Sequence, residues 1–216
     1  MRLYTFPGAP NPLRVQLFMA EKGIEIGTIA VDLATQQQLS QEYRGKNPNC
    51  DVPMLELSDG TCISQIPAIM MYLEKCFPEP SLYGGSDEML ALAMMWEHLM
   101  SMNGLNAVAD VLRNTSPSMK GRALVGPHDY EQIPALAERG RARTGHFFDD
   151  LNDRLAHREY VVGNVFTVAD ITAWVSVNFA RWVKETPTEN HGFLKNWYQT
   201  LEQRPAFQSV LSQKKS

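Results

Sequence analysis

Cysteine is scarce in this chain: Cys50, Cys62 and Cys76 form an odd set of three with no C-x-x-C spacing in 216 residues. That scarcity argues against a disulfide scaffold and against a zinc site, and fits reduced thiols. Charge of one sign is also lacking, since 20 Lys and Arg stand against 24 Asp and Glu for a net −4, without a run that could track a phosphate backbone. Nucleic acid is therefore not expected as a partner. Long apolar runs are missing too. The two longest, 66–73 and 89–96, fall far short of the roughly 20 residues needed to span a bilayer and read as helix cores, so no membrane partner is expected. The opening Met1-Arg2-Leu3-Tyr4-Thr5-Phe6-Pro7 turns to strand and loop chemistry before an apolar signal region develops, and a cytosolic protein is expected.

What is present is enough apolar material, 44% of residues, for a large core or two small ones. Residues 2–6 read as a strand, and the breakers Pro7-Gly8-Ala9-Pro10-Asn11-Pro12 separate it from an apolar helix over 13–22 that Gly23 terminates. A second strand over 25–31 makes a β-α-β opening with parallel strands. A polar stretch over 36–46 precedes a hairpin, with strands over 52–57 and 61–64 around Ser58-Asp59-Gly60, and then a helix over 65–76. Phe77-Pro78-Glu79-Pro80 ends the first domain, expected to be 1–77 with a linker over 78–86. The remainder, 87–216, predicts an all-helical bundle with helices near 87–113, 130–155, 168–184 and 191–204 and a short tail after Pro205. Asn103-Gly104 is the expected site of a bend in the first of these, and 115–129 reads as an exposed loop. No internal repeat is visible.

This order of parts resembles the cytosolic glutathione transferases along essentially the whole chain. The resemblance rests on Asn11-Pro12-Leu13-Arg14-Val15 with Glu21-Lys22-Gly23-Ile24, Asn47-Pro48 leading to Val52-Pro53-Met54-Leu55, Asp59-Gly60, and Ala68-Ile69 with Tyr72-Leu73-Glu74. It is nearest to the bacterial nu-like classes. It implies an α/β thioredoxin-like N-terminal domain plus an all-α C-terminal helical bundle, acting as a homodimer. It also implies a cis Val52–Pro53 bond, with the Val52 backbone groups turned out to pair with the cysteinyl backbone of glutathione. Val-Pro alone would read as a trans proline opening an edge strand. The string Thr167-Val168-Ala169-Asp170 resembles the family's buried capping box, a folding element.

Such an enzyme must hold a thiolate, because a free thiol has a pKa of about 8.5 and its neutral form is a weak nucleophile. A helix N-terminus contributes about 0.3–1 kcal/mol, up to about 2 when favourably buried. A hydrogen bond to a charged group contributes roughly 1.5–3 kcal/mol. Asn11, at the expected helix start, has an NH₂ that could donate to sulfur, and the nu-like resemblance implies that role. Asn before Pro is equally good as a helix cap, so both roles stay open. The hydroxyl position that other members pair with it is Ala9 here. For the γ-glutamyl group, the resemblance points to Gln65 and Ile66 where the family has an acidic or amide residue followed by Ser; the Ser64 hydroxyl, the nearest substitute for the missing one, leaves the opposite side of the chain. Gln38 and Lys46 are candidates for the glycyl carboxylate or ordinary surface side chains. Cys50, near Pro53, is a loop thiol or a mixed-disulfide partner. His98, the stretch Met94–Met102 and Trp174 read first as core and second as walls of an acceptor pocket, and Tyr4 as core.

The expected activity is conjugation of glutathione, a co-substrate, to small hydrophobic electrophiles. Glutathione-dependent reduction of disulfides or peroxides is the alternative enzyme, and a non-catalytic binding or regulatory module with this fold is the alternative outside catalysis. No metal and no further cofactor are expected.

Overall fold

The computed structural model describes residues 1–212. It divides into two compact units, one holding 1–80 with 124–129 and the end of the last helix, the other holding 81–123 and 130–208.

The first unit is built on a four-stranded sheet in the order β2-β1-β3-β4. Strand β1 (Arg2–Thr5) pairs in parallel with β2 (Gly27–Ala30) and antiparallel with β3 (Met54–Glu56), which pairs antiparallel with β4 (Cys62–Ser64). Helix α1 (Pro10–Glu21) supplies the crossover that a parallel pair needs. It begins three residues earlier than the apolar pattern suggests, because Pro10 suits the first helical position, where no intrahelical N–H bond is required. Its inner face buries Leu13, Val15, Leu17 and Phe18 at 1% exposure or less. A short helix α2 (Gln41–Lys46) lies inside the stretch that reads only as polar; Ser40 caps it by accepting from the Tyr43 N–H at 3.2 Å. Helix α3 (Ile66–Cys76) packs Ile69, Met70 and Leu73 into the core. Lys22 and Glu74 join the ends of α1 and α3 through a 2.8 Å ion pair whose side chains are 0% and 9% exposed, and the ammonium also donates to the Pro80 carbonyl at 2.5 Å.

The second unit is all-helical: α4 (Asp87–Met100), α5 (Asn106–Thr115), α6 (Pro134–Leu155), α7 (Val168–Ala180), α8 (Gly192–Glu202) and the first half of α9 (Pro205–Ser212). The expected bend at Asn103-Gly104 is instead a wide π turn over Ser101–Leu105 that carries α4 into α5. Gly104 is required there, since a Cβ would lie 2.6 Å from the Phe147 ring. The irregular turn leaves the Met102 carbonyl to accept from Arg143 at 2.5 Å. Thr167 and Asp170 form the expected capping box at the head of α7, the most buried helix. Trp174 is fully buried, stacked on Tyr198 and edge-on to Phe207, so it belongs to the core. Met100 is buried as well, whereas Met94, Met95 and Met102 are 49%, 46% and 42% exposed, contrary to the core placement expected for them. No helix among the described residues is long and apolar enough to cross a membrane.

Candidate functional site

Strand register brings the chain segments that carry Asn11, Val52 and Gln65 to one end of the sheet. Met54 lies opposite both Tyr4 and Ser64, so the chain entering β3 through Val52 and Pro53, the chain leaving β1 towards Asn11 and the chain leaving β4 towards Gln65 all stand at one end of the sheet. Phe6 opens the loop that leads to Asn11. The ladder stops at Met54, so the Val52 backbone lies beyond its end, and the Val52–Pro53 bond is cis.

Asn11 is the second residue of α1, not its cap. Ala9 holds the cap position without a side-chain bond, in extended conformation. The helix start is poor in donors, because Pro10 and Pro12 flank Asn11 and neither carries an N–H. Of the first three helical positions only Asn11 keeps a backbone N–H, which thins the helix-end contribution and leaves more to the side-chain amide. The half-buried Asn11 side chain accepts through Oδ1 from Arg14 Nη1 at 3.0 Å.

Gln65 stands immediately before α3 at φ 73°, ψ 127°, in the left-handed range that favours glycine. Its Nε2 donates to Asp51 Oδ2 at 2.8 Å, while Asn47 Nδ2 donates to Asp51 Oδ1 at 2.7 Å. With its NH₂ committed to a carboxylate, the Gln65 amide turns its oxygen outward, an acceptor suited to an ammonium group. The Asp51 backbone is held by Tyr43, whose hydroxyl donates to its carbonyl at 2.6 Å and whose burial pushes the phenol up to about 12. At the head of α3, Ile66 and Ala68 retain N–H groups around Pro67, and no side chain caps them. These orphan donors at a helix N-terminus suit a carboxylate. Ile66 itself is 5% exposed, so its side chain serves the core while its N–H serves the helix end.

Lys46 donates to Glu56 Oε1 at 2.6 Å and to the Tyr4 hydroxyl at 2.9 Å. Glu56, and then Tyr4, hold its ammonium well above the ordinary lysine range, and Lys46 in turn holds the Glu56 carboxyl below its own. Arg2 completes the cluster at 2.8 Å from Glu56. Gln38 has a buried amide oxygen with no partner; its Nε2 is the end able to meet a carboxylate. Cys50 is 1% exposed at φ 53°, its thiol 3.5 Å from the Pro48 carbonyl. Among the described residues no group of three or more His, Cys, Asp and Glu side chains could hold a metal ion. A cavity of about 180 Å³ in the helical unit, beside Val177, Arg181, Lys195 and Tyr198, involves none of these residues.

Sequence patterns pointed to Asn11, Val52 and Gln65 but not to Arg14 or Asp51, the charged groups bonded to the Asn11 and Gln65 amides. The Asn11–Arg14 spacing of three was visible, but only a helix starting at Pro10 puts the two on one face.

A thioredoxin-like sheet unit with a cis proline before its third strand, followed by an all-helical unit, is the glutathione transferase fold. The sequence profile of the Glutathione S-transferase N-terminal domain matches residues 1–75, and that of its C-terminal domain matches 115–205. The chain belongs to the glutathione S-transferase family. It is 30% identical to Glutathione S-transferase 2 of Saccharomyces cerevisiae over 98% of this chain and 89% of that one. A crystal structure of a glutathione S-transferase domain-containing protein from Marinobacter aquaeolei superposes with a TM-score of 0.86 at 34% identity, covering 96% of this chain and all of that one. The Disulfide-bond oxidoreductase YfcG of Escherichia coli is 25% identical over 93% of this chain and 90% of its own length.

Proposed function

We propose that this protein conjugates glutathione to small hydrophobic electrophiles. The observation that carries the proposal is the Asn11 amide, held with its oxygen on Arg14 at the head of α1, which leaves NH₂ to donate to a sulfur anion. The backbone of Val52 pairs with the cysteinyl residue of glutathione. Gln65 accepts from the γ-glutamyl ammonium, the α3 N–H groups bind its carboxylate, and Gln38 and Lys46 serve the glycyl end. The thiol proton passes to water. The thiolate lone pair then forms a C–S bond to the electrophilic carbon, and with an aryl halide the halide leaves with the C–X pair. Glutathione is a co-substrate in this scheme, consumed in each turnover.

The similarity to a disulfide-bond oxidoreductase favours a second reading on the same site. There the thiolate attacks one sulfur of a disulfide and expels the other as a thiolate, and a second glutathione resolves the mixed disulfide to give oxidised glutathione and a second thiol. Turnover of an aryl halide against hydroxyethyl disulfide separates the two, with conjugation expected to be the faster. Calorimetry must first register binding at millimolar glutathione; no heat would leave a transferase-fold binding module. Asn11→Ala should raise the bound thiol's pKa by about one to two units, read as lost thiolate absorbance at neutral pH, and an unchanged titration removes Asn11 from the mechanism.

The protein is also proposed to act as a homodimer in the cytosol. Ala91, Met94, Met95, His98 and Met102 are all exposed and recur along α4 and the following π turn at offsets of 3, 4, 7 and 11, an apolar-rich stripe on a face turned away from its own core.

A further inference from the structure

An amide near a thiolate is useful in only one of its two orientations. With NH₂ towards the sulfur it donates to the anion; flipped by 180° about its last torsion it presents an oxygen lone pair to the same negative charge. Asn side chains occupy either sense unless a neighbour decides. For Asn11 the neighbour is Arg14, and the guanidinium has donors only, so it accommodates the amide oxygen and opposes the NH₂.

We propose that Arg14 is a positioning residue for thiolate formation: its buried guanidinium pins the Asn11 oxygen and so aims the Asn11 NH₂ at the glutathione sulfur. The inference rests on the assignment of Asn11 as the thiolate's donor. Three observations carry it. Arg14 Nη1 lies 3.0 Å from Asn11 Oδ1. Arg14 is only 3% exposed, so its guanidinium is little screened by solvent. Pro10 and Pro12 remove the backbone donors on either side of Asn11, so a misdirected amide would leave the sulfur one N–H from this turn. At Gln65 the same logic runs with opposite sign: Asp51, an acceptor only, takes the amide nitrogen and frees the oxygen for a cation. One site thus holds two amides, each turned by a charge unlike the one it is to meet.

A double-mutant cycle on the bound thiol tests this. Thiolate absorbance is titrated with glutathione saturating for the wild type, Arg14→Met, Arg14→Lys, Asn11→Ala and Asn11→Ala/Arg14→Met. Arg14→Met is expected to raise the bound thiol's pKa by about one unit, tenfold less thiolate well below the pKa, and to move the acid limb of kcat/KM by the same amount. Arg14→Lys, which can still donate to Oδ1, should recover most of that. The double variant should titrate with Asn11→Ala alone. Additive shifts would mean that Arg14 acts through its own charge on the sulfur, and the proposal would be overturned; so would an Arg14→Met titration equal to wild type. If Asn11→Ala by itself leaves the thiol unmoved, it is the donor assignment that fails, a result separable from the other two. Should Arg14→Met not fold, Arg14→Lys against Asn11→Ala/Arg14→Lys decides: any shift caused by lysine must vanish once Asn11 is gone, and a shift that persists overturns the proposal.

Discussion

Gln65 occupies a backbone conformation that costs a side chain about 1–3 kcal/mol, and its amide is bound to Asp51 while the helix behind it goes without a cap. A residue placed solely for stability would be glycine, which adopts φ 73° without penalty. Gln65→Gly is accordingly expected to raise the melting temperature by about 2–4 °C per kcal/mol of relieved strain, while weakening glutathione binding about tenfold or more. Thermal melts of the apo protein together with calorimetry check both halves, and a Gly variant that melts lower would refute the strain argument. Asp51→Asn tests the orientation of the Gln65 amide. An amide at position 51 no longer demands the Gln65 nitrogen, so KM for glutathione should rise about tenfold, the scale of one lost charge-assisted hydrogen bond, with kcat little changed. A fall in kcat at constant KM would place Asp51 in the chemistry instead.

Two elements of the sheet unit, α1 and α3, start at the proposed donor to the sulfur and the proposed acceptor for the γ-glutamyl end, so their mutual position matters. The Lys22–Glu74 pair fixes it at the far end of both helices, out of water. Removing one partner strands the other: Lys22→Met should cost about 3–5 kcal/mol in urea unfolding, whereas Lys22→Met/Glu74→Met should recover most of that, because two apolar side chains carry no uncompensated charge. Equal losses in the single and double variants would show that packing, not charge, holds the joint. In the helical unit the head of α7 depends on Asp170, which accepts from the N–H groups of Val161 and Thr167 at 2.8 and 3.0 Å and from the Trp197 indole at 3.3 Å. Complete burial nevertheless pushes its carboxyl up to about 7, against 3.8 unperturbed, with the hydrogen bonds opposing. The folded-state pKa is the higher one, so the group's stabilising contribution is complete below about pH 4 and is lost as pH climbs to about 7, by up to about 4 kcal/mol. Arg154, which bonds the neighbouring Val161 carbonyl, offsets part of this through its charge. Unfolding free energy should therefore fall from pH 5 to pH 8 in the wild type more steeply than in Asp170→Asn; parallel profiles would exclude Asp170 as the cause.

For the whole molecule, what could be read in advance followed from period and punctuation. The β-α-β opening, the hairpin around Asp59-Gly60 and the capping box at Thr167 each have a local physical signature, and each is present in the fold. Helix α2 has no apolar period, only a Ser40 cap and six mostly polar residues, and so stayed hidden. The apolar pattern of α1 begins at Leu13 because Pro10 and Pro12 look like breakers, when in the first helical turn they are tolerated; with Asn11 read as a cap or a sulfur donor, its bond to Arg14 stayed out of view. Asp51 and Gln65 lie 14 residues apart and meet only through the hairpin. The methionines of α4 were misjudged for a different reason. Composition marks them as apolar, but which face of a helix finds a partner is decided by the rest of the fold, and here the stripe from Ala91 to Met102 faces outward. An apolar stripe of this kind is covered by a second copy in the proposed homodimer. Replacing two of its central residues with Met94→Glu/Met95→Glu would place two like charges per chain in such an interface. Sedimentation velocity should then report a monomer where the wild type is a dimer, with the far-ultraviolet circular dichroism preserved. A double variant that still sediments as a dimer would move the interface to another face.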